Sequence, residues 1–359
     1  MIEVERHYAD VLQRDCRPAS ALLVEALRRR AGLPDSRLGE GAEEVDPTTL
    51  LHVARLNQVT LALATLRDWT GFEAIAPTVD MTRLRTVAIN RKGLALTRRI
   101  AAEFEAAGLP YLVLKGPLSQ VTLYGDPCVK PSGDSDFYVG AGDLPTARRI
   151  LAQQGFKGGG GNLSAWWIHG LGEQHFQDDA GNVVDLHHRL QQPGGVRLRD
   201  EEQVLTEREI QSFEGAQYTV PSSHDVICLT AISLTRALYG REPGGRYLLD
   251  LARISRDLAP DQLSDLLAHA KAQGIEGTIL FALQLTCAVL GPLPIVLPRH
   301  PLSLEDCALR EMALIPWTSG LPWPRRRELL WLFCERRPFP FLAEAGRSGM
   351  ADVLRRILS

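Results

Sequence analysis

The chain has 359 residues, of which 45% are hydrophobic and 23% charged, and its formal net charge is -3. That length accommodates two or three domains with separate cores, and the composition excludes a disordered, collagen-like or strongly basic protein. Bulk charge therefore gives a nucleic-acid partner no support.

The N-terminal stretch MIEVERHYADVLQRD carries acids and no apolar core, which matches neither a secretory signal nor an Arg-rich transit peptide. From there to Gly108 the pattern is helical. SALLVEALRRRAG reads as a helix capped by Ser20 and stopped by Gly32. DPTTLLHVARLNQVTLALATLRDW reads as a second, with Asp46 as cap and Pro47 in the first turn. MTRLRTVAINRKGLALTRRIAAEFEAAG gives a long amphipathic third.

The texture changes at Leu109. PYLVLK is a short buried strand, followed by a Gly-Pro break and the helix PLSQVTLYG. Next come the loop DPCVKPSGD, the strand SDFYV and the helix GDLPTARRILAQQG. KGGGGN, residues 157 to 162, lacks the lysine and hydroxyl residue that end a Walker phosphate loop and reads as a flexible loop. EQHFQ and VVDLHHRL flank DDAGN, a hairpin signal. After YTVPSSHD the pattern is helical again, through HDVICLTAISLTRALYG, RYLLDLARISRDL, PDQLSDLLAHAKAQG and RRRELLWLFCERR. The longest apolar run, TILFALQLTCAVLGPLPIVLP, is cut by Gly291, Pro292 and Pro294 and suits a buried helix rather than a membrane span. The expected class is α/β (α+β): a small mixed-sheet core at 109–220 between helical regions at 1–108 and 221–359.

Six cysteines, Cys16, Cys128, Cys228, Cys287, Cys307 and Cys334, are scattered without a CxxC, so neither a zinc site nor a disulfide framework is expected. We expect a cytoplasmic protein with no membrane partner. The tail PWPRRRELLWLFCERRPFPF mixes arginine with aromatics and reads as a packed helix with solvated arginines.

Chemistry concentrates on carboxylates. Asp134 and Asp136 stand two apart in a strand and so point to one face. Like charges held that close repel, and one takes up a proton unless a cation sits between them. Asp185 in VVDLHHRL shares its face with His187 and Arg189. If that strand lies beside SDFYV, three carboxylates meet, and hard oxygen ligands select Mg2+ or Mn2+ over zinc. A D-x-D beside a turn is, alone, an ordinary cap or surface loop; Lys115-Gly116 and Asp185 tip the balance toward a site.

LKG before a helix, Tyr124 near that helix's end, GDSDFYV and a later VVDLH together resemble the polymerase-β-type nucleotidyltransferase superfamily. Within it they are similar to the bacterial nucleotidyltransferase family protein group. The likeness runs from about Tyr111 to Leu190, and RYLLDLARI resembles the group's helical region. It implies transfer of a nucleoside monophosphate from a nucleoside triphosphate (NTP) to an acceptor hydroxyl or phosphate, with pyrophosphate leaving. Asp134, Asp136 and Asp185 are then the catalytic and metal-binding residues. Lys115, Gly116, Ser119, Lys130 and Arg246 are expected around the nucleotide. The superfamily usually has Gly-Ser where this chain has Gly116-Pro117, and often Arg where it has Lys130. The acceptor implied is a small molecule or a natural-product peptide. Two other readings stand beside it: a catalytically inactive nucleotide-binding or scaffold relative, and a toxin or resistance-type enzyme acting on tRNA or an antibiotic.

Overall fold

The computed structural model describes residues 14–34, 41–159, 166–193, 195–298, 306–318, 320–321 and 338–358. In chain order these form α1 (Arg17–Ala31), α2 (Pro47–Leu56), α3 (Phe72–Ala106), β1 (Tyr111–Val113), α4 (Pro117–Tyr124), β2 (Asp134–Val139), α5 (Leu144–Gln153) and β3 (Lys157–Gly158). A turn of π-helix (Trp166–Leu171) leads into β4 (Glu173–Gln177), β5 (Val183–His187), α6 (Glu201–Thr206), β6 (Glu209–Phe213) and β7 (Ala216–Val220). The helices α7 (Ser223–Gly240), α8 (Gly245–Arg256), α9 (Pro260–Ala272), α10 (Glu276–Leu290), α11 (Asp306–Leu314) and α12 (Pro338–Leu358) complete the order. The class is the mixed α+β expected, a small mixed sheet with flanking helices.

The described residues fall into two compact units, which interleave along the chain. One draws on 1–85, 230–267 and 277–329, the other on 86–229, 268–276 and 330–359. The first is helical. There α1 begins four residues earlier than the sequence suggests, with Cys16 in place of Ser20 as its cap, because Pro18 presets the first turn; Ser20 lies inside it and donates to Arg17 O at 2.9 Å. Gly32, at φ 75, ends it as expected. Asp46 caps α2 by accepting from the Thr49 amide at 3.0 Å. The expected run to Trp69 breaks at Leu56, where tertiary contacts override the periodicity. Buried Asn57 donates to Val53 O at 2.9 Å and Leu314 O at 2.8 Å and accepts from the Gly245 amide at 2.9 Å. Gln58 turns to φ 57, and Thr60–Thr65 continues as 3-10 helix. The apolar run becomes α10, with Ile279, Phe281, Leu283, Leu285 and Val289 buried. No helix among the described residues is long and apolar enough to cross a membrane.

The second unit holds the sheet, in strand order β1-β2-β5-β4-β3. β2 runs parallel to β5, and the other neighbours are antiparallel. Alternation divides its faces. Phe137, Val139, Val184, Leu186 and Phe176 enter a core with Ile100 and Phe104 of α3 and Ala147 and Leu151 of α5. Phe137 is fully buried and meets the Phe104 ring edge-on at 5.4 Å; burying such a ring contributes about 2–3 kcal/mol. The opposite face is left to Asp134, Asp136, Asp185, His175 and His187, so the apolar set fixes the register that gathers the polar one.

Two local findings depart from the sequence reading. Lys157 and Gly158, taken as part of a flexible loop, pair with Gln177 and Phe176 as an edge strand; residues 160–162 lie outside the described residues. β6 and β7 form an unexpected hairpin, turning at Glu214 (φ 49) and Gly215 (φ 75). The expected helix at 325–337 also lies outside the described residues.

Candidate active site

β2 and β5 supply the acids. Their parallel register sets Asp136 opposite Asp185 and Asp134 opposite Val183. One carboxylate oxygen each from Asp134, Asp136 and Asp185 lies within 4.8 Å of the others. The three residues expected from sequence are thus together, on one face, beside the antiparallel strand β4.

The environments of the acids differ. Asp136 is 3% exposed, and its Oδ1 accepts from Lys115 Nζ at 3.1 Å and lies 3.0 Å from His187 Nε2. Burial pushes its pKa up, but the Lys115 ammonium and the His187 imidazole outweigh burial and hold the carboxyl well below the usual range. Asp185 is pushed the other way, by burial and then by the charge on Asp136, although His175 Nδ1 stands 2.6 Å from its Oδ1. His187 Nδ1 in turn lies 3.5 Å from Glu173 Oε2. This chain of imidazoles and carboxylates keeps Asp136 ionised while leaving negative charge in excess over cations at the triad. Clustered carboxylate oxygens with excess negative charge fit a hard divalent cation.

Lys115 follows β1 by two residues and reaches the triad, with its side chain 62% exposed. Gly116 comes next at φ 96, a conformation strained for any residue with a Cβ. Pro117 opens α4, its lost amide being one the helix does not use internally. Ser119 Oγ turns back to donate to Gly116 O at 2.9 Å. Lys130 places its ammonium 5.9 Å from the centre of the Tyr124 ring, and its backbone is bonded twice by Gln120, at 2.9 and 2.8 Å. Arg246 belongs to the helical unit, where its guanidinium bonds to Gln58 Oε1 and to the Tyr247 hydroxyl; the triad is built from the other unit alone.

Three residues at or behind this face escaped the sequence reading. His175 and Glu173 had a signal, since alternation in EQHFQ places both opposite buried Phe176 and Gln174. Asn90 had none. It is fully buried in α3 and holds the loop ahead of β2, donating to Pro127 O at 2.6 Å and Lys130 O at 2.8 Å and accepting from the Ser132 amide at 2.8 Å.

A family model described as "Uncharacterised nucleotidyltransferase" matches residues 43–291, more than half of the chain and a span containing all three acids. No curated protein sequence matches. Among solved structures, a crystal structure of an antigenic nucleotidyltransferase-like protein from Paracoccidioides brasiliensis is similar at 16% identity, covering 52% of this chain and 90% of that one with a TM-score of 0.31.

Proposed function

The chain belongs to the family of uncharacterised nucleotidyltransferases, and from that premise we propose that it is a metal-dependent enzyme moving a nucleoside monophosphate from an NTP to an acceptor hydroxyl or phosphate. The observation that carries this reading is the convergence of Asp134, Asp136 and Asp185 on one face of the sheet, with Lys115 bonded to Asp136. In the reaction an acceptor oxygen attacks the α-phosphorus, the bond from that phosphorus to the β-phosphate bridge breaks, pyrophosphate leaves and the acceptor proton passes to solvent. The polymerase-β-type superfamily resembled by the motif carries the same assignment of roles.

Asp134, Asp136 and Asp185 would hold Mg2+ or Mn2+, which when bound neutralises phosphate charge and makes an acceptor hydroxyl easier to deprotonate. The residues themselves provide the placement. Lys115 stands at the triad with an exposed stem, so its ammonium can exchange a carboxylate for a phosphate oxygen. His187 keeps Asp136 charged, and His175 fixes the Asp185 carboxylate by its Nδ1. Gly116 leaves the start of α4 without a side chain where phosphate approaches.

The acceptor we favour is a small molecule or a biosynthetic peptide, since a net charge of -3 gives little support to tRNA. A silent nucleotide-binding relative is the second reading, favoured by the absence of a hydroxyl at position 117 and by the engagement of Ser119 Oγ with Gly116 O. The two separate when the protein is incubated with each of the four NTPs and Mg2+, alone and with candidate acceptors. Pyrophosphate release with a nucleotidyl mass increment on an acceptor is the expected result. Tight NTP binding without pyrophosphate release in the presence of any acceptor supports the silent reading.

A further inference from the structure

We propose that Ser132 is a phosphate-binding residue of this site, its hydroxyl presented to the triphosphate by a loop that Asn90 and Gln120 immobilise. The inference rests on the nucleotidyl-transfer reading and deepens it.

The donors around the triad narrow the choice. Lys115 is paired with Asp136, Ser119 Oγ is spent on Gly116 O, and Pro117 has neither hydroxyl nor amide proton to offer. Ser132 lies two residues ahead of Asp134 on the chain. Its Oγ stands 3.6 Å from the point a Cβ on Gly116 would occupy, with Asp134 O 3.7 Å from the same point. The hydroxyl therefore lies beside the bare Cα of Gly116, on the side where the backbone of the first acid of β2 also approaches. Among the described residues it has no hydrogen-bond partner, while the Ser132 amide is fixed by Asn90 Oδ1 at 2.8 Å.

The loop is held more firmly than an exposed connection between a helix and a strand needs to be. Asn90 contributes three hydrogen bonds to it from a fully buried position, and Gln120, 4% exposed, contributes two more to Lys130. Two buried amides spent on one loop fix the direction in which the chain runs on through Ser132 to β2, as supporting residues do where a contact group must be pre-organised. Of the side chains so placed, the Ser132 hydroxyl is the one without a partner among the described residues. A hydroxyl donates well to a charged phosphate oxygen, and a bond of that kind is worth roughly tenfold in affinity.

The test uses the full chain and two probes, Mn2+ alone and inorganic triphosphate with Mg2+, measured by calorimetry, with the four NTPs as a second series. Ser132→Ala is expected to weaken triphosphate and NTP binding about tenfold while leaving Mn2+ affinity and thermal stability unchanged, because the hydroxyl makes no bond within the described protein. Ser132→Thr is expected to bind as the wild type does. An unchanged dissociation constant in Ser132→Ala, or an equal loss in Ser132→Thr, overturns the assignment. A wild-type protein that binds Mn2+ yet neither triphosphate nor any NTP overturns the nucleotidyl-transfer reading and this inference with it.

Discussion

Asp136 and Asp185 face each other across parallel strands, yet one is held ionised and the other is driven toward protonation. The asymmetry comes from their partners. Lys115 and His187 both address Asp136 Oδ1, whereas Asp185 has His175 and, as the weakest influence, the charge of His187 against burial and its neighbour's charge. Stability and function should therefore diverge at position 185. Asp185→Asn removes a repelled, desolvated charge, so its melting temperature is expected to equal or exceed that of the wild type, while transfer falls by roughly a thousandfold, the equivalent of about 4 kcal/mol of lost charge stabilisation. Asp136→Asn is expected to lose activity to the same degree and to melt earlier, because it removes the buried charge that Lys115 and His187 both address. Calorimetric melting beside pyrophosphate release checks both; wild-type turnover in either variant removes the metal assignment.

Lys115 makes an opposite-signed pair of effects measurable. Its ammonium sits 3.1 Å from Asp136 Oδ1, so on the metal-dependent reading a cation and the lysine would compete at that carboxylate. Lys115→Met is expected to tighten Mn2+ binding severalfold in the absence of nucleotide and to weaken NTP binding about tenfold. Titrating both ligands into one preparation decides it. Parallel losses for metal and nucleotide would mean that Lys115 supports the acids rather than the phosphate.

Asn90 links the core to the loop. Asn90→Ala strands two backbone carbonyls and one amide, at a cost of about 3 kcal/mol of unfolding free energy. If the loop's direction is what places Ser132, the same variant weakens inorganic triphosphate binding about as much as Ser132→Ala does. Asn90→Asp, which keeps the acceptor for the Ser132 amide, should retain more of that binding. Urea unfolding and triphosphate titration report the two effects separately, and lost stability with intact binding would reduce Asn90 to a packing role.

How far the sequence foretells this site depends on the range of the interaction concerned. SDFYV and VVDLH declare their faces through alternation, and burial of Phe137, Val139, Val184 and Leu186 on one side forces Asp134, Asp136 and Asp185 to the other. Where long-range contacts decide, periodicity misleads. α2 ends early because Asn57 serves Gly245 and Leu314, both distant in sequence. Asn90 looks like a polar interruption of a helix until the loop 37 to 42 residues later is folded onto it. The hairpin at Glu214-Gly215 carried a signal, since the strand-like EIQSF and AQYTV flank a glycine turn, but it is short and lies against the start of a long helical pattern.

The strand end beyond the acids sets a pH dependence of stability. His188 donates its amide to Gly172 O at 2.9 Å, and its Nδ1 is buried with no partner among the described residues. Burial first, and the Arg189 guanidinium second, lower its pKa to about 4 from the ordinary 6.5. Below pH 6.5 the unfolded chain takes up a proton that the folded chain refuses. The stabilisation from a neutral His188 is thus complete above 6.5 and is lost as pH falls toward 4, at no more than about 1.4 kcal/mol per pH unit for one group. Urea midpoints measured from pH 7 to 4.5 are expected to fall more steeply for the wild type than for His188→Gln, which has no proton to gain. Identical slopes would show that His188 is protonated as readily in the folded chain as in the unfolded one, which the burial of its ring opposes.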